Sequence, residues 1–264
     1  MDSKPLVSIV MNCYNGEKYL RDSLKSIVNQ TYENWELIFW DNLSSDNSKK
    51  ILKGFSSPKI KYFKTEKFTN LYTARNLAVN QCKGDYVCFL DTDDLWVSNK
   101  LEKQLNFLKR NDEFKIVYSN YYILNEKKKR NYVKHQQNLP SGFITRDLLD
   151  YYSLGLLTVM LEKKFFNNLL FNEKFNIIGD FDFFIKLSEN FKIGSIQEPL
   201  AYYRIHESNL SNKMNIHVSE LEDWINNNEK RLKENQFSLK HQKIFKLKLK
   251  LKAFLMKFIN FKIK

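Results

Sequence analysis

At 264 residues the chain is long enough for one large domain, or one domain with an appendage, and 43% apolar content with 14 Tyr and 21 Phe excludes a disordered polymer. Its three cysteines, Cys13, Cys82 and Cys88, are odd in number and lack CxxC spacing, which argues against a disulfide framework or a zinc site and for reduced, partly buried thiols of a cytosolic protein. The net charge of +13 is concentrated at one end: residues 229–264 carry 12 Lys/Arg against 2 Glu, while the rest is nearly balanced at 31 against 28.

The first residues, Met1–Pro5, are polar and the apolar run behind them is too short for a secretory leader. No stretch approaches the roughly 20 apolar residues that span a bilayer, so a soluble or peripheral protein is expected.

Short apolar runs then alternate with amphipathic segments. Residues 6–11, 35–40, 59–63, 85–90 and 115–120 read as strands. Between them, residues 17–30 place Leu20, Leu24, Ile27 and Val28 on one helical face, and 45–55, 70–82 and 98–110 are further helices, the last with Ser98 as N-cap and Leu101, Leu105 and Leu108 inward. This alternation predicts an α/β fold with a mainly parallel central sheet and helices on both faces. Residues 125–142 read as a polar, basic loop, followed by a short helix (145–152), an apolar run (154–161), a helix with acids in its first turn (178–191), and a short strand with a polar loop (198–212).

In such sheets ligands bind beyond the carboxyl ends of the strands. Those ends carry Asn12-Cys13-Tyr14-Asn15-Gly16, Asp41-Asn42-Leu43-Ser44-Ser45-Asp46 and Asp91-Thr92-Asp93-Asp94. Three polar clusters on one edge point to a site. The adjacent carboxylates of FLDTDDLW can hold a hard divalent cation such as Mg²⁺ or Mn²⁺, or cap the next helix through Asp93 or Asp94.

The segments VSIVMNCYNGEKYLRDSLKSIVNQTYENWELIFWDNLSSD, TARNLAVNQCKGDYVCFLDTDD, GDFDFF and YYRIHESNLS, in that order from Val7 to Ser211, resemble glycosyltransferase family 2. The resemblance implies an inverting, nucleotide-sugar-dependent enzyme of the Rossmann-like GT-A fold. The nucleotide-binding half would span about 1–120, the acceptor and catalytic half about 121–215, and 216–264 would be a basic amphipathic helical extension. It places Asn12, Tyr14, Asp41, Arg75, Asp91, Thr92, Asp93 and Arg204 around the donor, with the Tyr14 ring suited to stack on a base, Asp41 to accept from a pyrimidine imide and Arg75 beside the diphosphate. Asp93, Asp91 and His206 would be the metal ligands, for Mn²⁺ or Mg²⁺. Asp180 matches the catalytic base, with Asp182 as a second acid or acceptor contact. Taken without the resemblance, Asp180 and Asp182 could equally be first-turn helix stabilisers, and His206 a surface residue. Three positions depart from the family pattern: Leu43 and Ala78 stand where Gly is common, and Gly179 where Glu precedes the catalytic Asp.

Residues 239–264 hold nine Lys and no acid. As a helix they gather Ile244, Leu247, Leu251, Phe254, Leu255 and Phe258 on one face, with Lys243, Lys246, Lys250 and Lys257 outside it. That pattern suits an interfacial helix on anionic lipid; a helix packed on the body with a solvated Lys face is the alternative. The expected activity is therefore transfer from a nucleotide sugar, UDP-linked in the first instance, to a glycan or lipid-linked acceptor in surface polysaccharide or lipooligosaccharide synthesis. The expected location is the cytoplasmic face of the membrane. A nucleic-acid-binding protein is disfavoured by the near-neutral body; a metal-dependent nucleotidyltransferase would share the carboxylates.

Overall fold

The computed structural model describes residues 4–127 and 130–261, with side chains through Leu255. The first half follows the expected alternation: β1 (Val7–Cys13), α1 (Glu17–Val28), β2 (Trp35–Asp41), α2 (Ser48–Lys53), β3 (Ile60–Lys64), α3 (Leu71–Val79) and β4 (Tyr86–Phe89). β3, β2, β1 and β4 lie side by side and parallel. Their pleat decides which helices cover them. Val7, Ile9 and Met11 point to a core closed by Leu20, Leu24 and Ile27 of α1, Leu52 of α2 and Leu101 of a later helix, α4 (Lys100–Arg110). Val10, Ile38, Trp40 and Phe89 point to the opposite core, with Tyr72, Ala74 and Ala78 of α3. Both faces are covered, which is why β1 and β2 read as near-continuous apolar runs.

The second half brings strands in by pairing rather than by pattern. β5 (Leu95–Trp96), β6 (Ile116–Asn125), β7 (Arg130–Val133), α5 (Thr145–Asp150), β8 (Met160–Glu162), α6 (Gly179–Ser188), β9 (Ile193–Ile205), α7 (Met214–Glu234) and α8 (Lys240–Phe261) complete the chain. The sheet order is β3-β2-β1-β4-β8-β6-β9-β5, with β7 on β6. β8 is antiparallel to β4 and β6, and β9 runs parallel to β6 through two register irregularities around Asn120.

Several expectations are corrected here. The loop at 125–142 contains β7, which pairs antiparallel with the end of β6. The short strand at 198 is the end of a 13-residue strand that starts at Ile193. Ser98 does not cap α4, whose cap residue is Asn99, with no side-chain cap bond. The first part of the segment read as an extension is core: α7 buries Leu221, Trp224, Ile225 and Leu232. The three cysteines are free and buried, in line with reduced thiols.

α8 packs along α7, and three of its lysines pair with acids of that helix. Lys243 meets Glu229 at 2.7 Å, and Lys246 and Lys250 meet Glu222 at 2.9 and 3.1 Å. Leu247, Leu251, Phe254 and Leu255 are each more than half exposed. The helix thus presents its apolar side outward and spends three cations on the body; Lys257 and Phe258 lie outside the described side chains. No helix among the described residues is long and apolar enough to cross a membrane.

The start of the sheet is locked by a buried polar knot. Ser8 Oγ donates to Glu36 Oε1 at 2.7 Å and accepts from the Gly84 amide at 2.8 Å. A Cβ on Gly84 would lie 2.6 Å from the Leu6 carbonyl oxygen and 2.7 Å from the Ser8 nitrogen. Neither is a flexible side chain, so Gly84→Ala is expected to cost about 1–3 kcal/mol of stability, read by urea unfolding.

Candidate active site

Each site element sits where a strand stops. The loops after β1 and β2 are stitched together: Asn15 takes a left-handed φ of 53°, accepts from the Ser45 amide at 2.8 Å and donates its own amide to Ser44 Oγ at 3.0 Å. Leu43, at the family's glycine position, nevertheless adopts φ 67°. The turn is held by the Ser44 amide donating to Asp41 Oδ1 at 2.7 Å and by Asn42, whose Nδ2 donates to the Thr69 carbonyl at 2.8 Å.

Asp41 is 1% exposed, and Tyr62 donates its hydroxyl to Asp41 Oδ2 at 2.7 Å. Each oxygen thus accepts one hydrogen bond from within the chain. Asn12 holds a buried Nδ2 with no partner among the described residues, on the face shared with α3. An orphaned donor in such a place is what a ligand acceptor would satisfy. Tyr14 is exposed at the mouth, its ring 4.8 Å edge-on to that of Phe68, also exposed. Phe68 was not anticipated; the pair offers a second aromatic wall.

The acidic loop after β4 gives each carboxylate a different partner. Arg75, 4% exposed on α3, donates its Nη2 to both oxygens of Asp91 at 2.9 Å. Asp93 Oδ2 lies 2.7 Å from His206 Nε2. Asp94 is buried and accepts the Arg204 backbone amide at 2.9 Å, so it ties two chain segments together and caps no helix. Thr92 packs over Gly16, where a Cβ would approach its hydroxyl to 2.9 Å. Burial, then the Asp91 charge, raises the Asp93 carboxyl above its ordinary range; burial, then Asp93, raises Asp94 further.

The segment carrying Arg204 and His206 reaches this loop through β5, whose Leu95 and Trp96 pair with Tyr202 and Ala201 of β9. Arg204 is committed on arrival. Its Nε donates to the Asp93 carbonyl at 2.8 Å, its Nη1 to Glu126 at 2.8 Å, and it lies 4.5 Å over the Tyr19 ring. Tyr19 in turn donates to Glu126 at 2.7 Å. Arg204 therefore braces the acidic loop. Glu126, in a stretch dominated by lysine, gave no sequence signal.

Asp180 opens α6 and is half-buried. The Tyr72 hydroxyl lies 3.0 Å from Asp180 Oδ1 and 3.1 Å from the Ile177 carbonyl. Its ring fills the space that a side chain at residue 179 would need: a Cβ on Gly179 would meet it at 2.6 Å. Arg75 lies 5.1 Å from the same ring, so Tyr72 connects the Asp91–Arg75 pair to Asp180. Burial raises the Asp180 carboxyl, opposed by the Arg75 charge and the Tyr72 hydrogen bond. Tyr72 stands one helical turn before Arg75, the one signal by which the sequence could have indicated it.

Asp182 is not at the site. It is 2% exposed and bonded by Trp224 Nε1 at 2.9 Å and Lys186 at 2.7 Å, a packing role between α6 and α7 that corrects its reading as a second acid.

Asp91 and Asp93 offer hard oxygens, 44% and 26% exposed, with His206 alongside. Among the described residues no ready-made cluster of three His, Cys, Asp or Glu could hold a metal ion. The donor set fits a hard divalent cation, whose remaining ligands would have to come from outside the chain.

Residues 8–186 match the model of glycosyl transferase family 2. The chain belongs to glycosyltransferase family 2. Among curated family 2 relatives, the Escherichia coli UDP-Glc:alpha-D-GlcNAc-diphosphoundecaprenol beta-1,3-glucosyltransferase WfgD is 36% identical over 166 residues, 63% of this chain and 64% of that protein. WfaP of Escherichia coli, described by the same activity, is 30% identical over 209 residues, 78% of this chain and 80% of that protein. The chain thus spans just under two thirds of WfgD. Two solved GT-A structures share the fold: Staphylococcus aureus TarS 1–349 with UDP-GlcNAc (TM-score 0.63, 17% identity, 83% of this chain and 66% of that one), and the Pyrobaculum calidifontis mannosyltransferase PcManGT with GDP-Man and Mn²⁺ (0.63, 13%, 85% and 65%).

The packing role of Asp182 separates it from its neighbour Asp180 in a single comparison. Asp182→Ala leaves the Trp224 N–H and the Lys186 ammonium without their acceptor and is expected to cost about 1–3 kcal/mol. The fraction that remains folded should keep its turnover, checked by pairing urea unfolding with assays well below the unfolding midpoint.

Proposed function

We propose that the chain moves a sugar, with inversion, from a nucleotide diphosphate donor to a hydroxyl of a glycan or lipid-linked acceptor. UDP is the first choice of nucleotide, and surface polysaccharide or lipooligosaccharide synthesis the setting. One arrangement carries the reading: Asp91 with Arg75, and Asp180, joined through Tyr72 at the carboxyl edge of the sheet. Family membership supports it, as do relatives described as using UDP-Glc and a GlcNAc-diphosphoundecaprenol acceptor, and a structural neighbour bound to UDP-GlcNAc.

In this reading Tyr14 and Phe68 flank the base, and the orphaned Asn12 Nδ2 finds an acceptor on the nucleoside. Asp91 and Asp93, with His206 beside them, would hold Mn²⁺ or Mg²⁺. When bound, such a cation neutralises diphosphate charge and eases departure of the nucleoside diphosphate. Asp180 takes the proton of the acceptor hydroxyl. The acceptor oxygen then forms its bond to the anomeric carbon as the bond from that carbon to the diphosphate oxygen breaks, and the electron pair leaves with the nucleoside diphosphate. A half-buried carboxylate with raised proton affinity is a better base than a fully solvated one, and the Tyr72 hydrogen bond orients it.

We further propose that the protein sits peripherally on the cytoplasmic face of a membrane, supported by the exposed apolar side of α8 and the lysine-rich composition of that helix. Three of its lysines are already paired with Glu222 and Glu229, so the electrostatic share is smaller than a count of lysines suggests. No nucleic acid is required as a partner.

Three measurements test the site. Mn²⁺-dependent release of nucleoside diphosphate from a panel of nucleotide sugars should fall by about 10²–10⁴-fold in Asp180→Asn, with folding retained; turnover near wild type would withdraw the base assignment. UDP with Mn²⁺ should raise Tm in the wild type, and Asp93→Asn should lose the Mn²⁺-dependent part of that rise. The third is a pH profile. The Tyr72 hydrogen bond favours ionised Asp180, so Tyr72→Phe raises its pKa. The acid limb of kcat/KM should move to higher pH, while activity on the alkaline side of that limb is reduced far less.

A further inference from the structure

A cavity of about 550 Å³ opens between α5, α6, α7 and α8, with Asp180 in its wall. The hydroxyl of Tyr152, another lining residue, is buried with no hydrogen-bond partner among the described residues. Much of the rest of the wall is hydrocarbon, including Leu149, Ile178, Phe181, Leu221 and Phe245. Lys134, His217, His241 and Lys248 line it as well. The acids in the wall are Asp150 and Asp180, and Asp150 is already taken by His241 Nδ1 at 2.8 Å. Lys248 differs from Lys243, Lys246 and Lys250 on the same helix: it meets no acid among the described residues.

A polysaccharide end would need hydrogen-bonding walls, and these are mostly apolar. A soluble sugar phosphate would use the cations but leave the hydrocarbon uncovered. An amphiphile with both parts matches, and the wall continues outward in the right way. Ile244 and Phe245 line the cavity and are partly exposed, and Leu247, Leu251, Phe254 and Leu255 carry the apolar row along α8 past its mouth.

We propose that this cavity is the acceptor site and that its occupant is the sugar-diphosphate head of a long-chain lipid. Lys248 and Lys134 face the diphosphate, Phe245 and the α8 row carry the first part of the hydrocarbon chain, and the acceptor hydroxyl is presented to Asp180, with Tyr152 as a second polar contact. The assignment rests on the transferase reading of Asp180; the lipid-diphosphate binding it predicts does not need a donor.

The probe is farnesyl diphosphate, titrated against the full chain by intrinsic fluorescence, with farnesol and inorganic diphosphate as controls. Farnesyl diphosphate should bind at least about tenfold more tightly than either control, and Lys248→Glu and Phe245→Asp should each weaken it by about tenfold or more. UDP affinity should be unchanged in both variants, which also reports their folding. The proposal is overturned if both variants bind the probe as the wild type does, if inorganic diphosphate binds as well, or if saturating UDP displaces the probe and so places it in the donor cleft. A chain that binds farnesyl diphosphate as described but binds no UDP leaves the lipid-diphosphate site standing and overturns only the transferase reading.

Discussion

The fold is organised around a charge problem: three carboxylates, Asp91, Asp93 and Asp94, within four residues at the end of a buried strand. Such acids repel one another and lose hydration, so each needs its own compensation. Arg75 on α3 answers Asp91, His206 answers Asp93, and the backbone amide of Arg204 answers Asp94. The compensation is unequal. Asp94 is sealed, whereas Asp91 and Asp93 keep part of their surface open to the cleft. Two carboxylates are thus left partly exposed beside one that is fully enclosed.

Neutralising the loop also accounts for the arrangement around it. β5 is only two residues long, yet it joins the acidic loop to β9 and brings Arg204 and His206 within reach. Ser23 reinforces the loop from α1 by donating to the carbonyls of Thr92 and Asp94 at 2.8 and 2.7 Å. On the other side, Tyr72 uses the space left by Gly179 to link Arg75 with Asp180. The absence of a side chain at residue 179 is thus matched by the presence of a large one at residue 72.

The sequence was most legible where local pattern and burial coincide. β1, β2 and β4, with α1 and α3, could be read to within a few residues because both sheet faces are covered and the helices have one apolar side. β5, β7 and β8 were not legible, because two to four residues carry no periodicity and become strands only by pairing. The site divides in the same way. Arg75, Asp91, Asp93, His206 and Asp180 could be named from motifs, but the functions of Arg204, Asp94 and Asp182 depended on partners such as Glu126 and Trp224 that lie far away in sequence. Tyr72, Phe68 and Tyr152 are ordinary aromatics until the fold shows what they face. The ion pairs of the tail were hidden for a related reason: composition counts lysines but does not reveal that α7 supplies acids to pair with them.

The partners of Asp93 and Asp94 lie 110 to 113 residues further along the chain. Contacts of that separation carry a high loop-closure cost and are among the last to be rewarded as a chain folds. As the polypeptide leaves the ribosome, β1 to β4 can pair while the acidic loop at their edge remains electrostatically unfinished, and it stays so until β9 has been made and docked. A fragment ending before Arg204 would retain β1 to β4 and Arg75, but it would lack the groups that balance Asp93 and Asp94. The N-terminal half, which carries most of the recognisable motifs, is therefore dependent on the C-terminal half for the charge balance of its own loop.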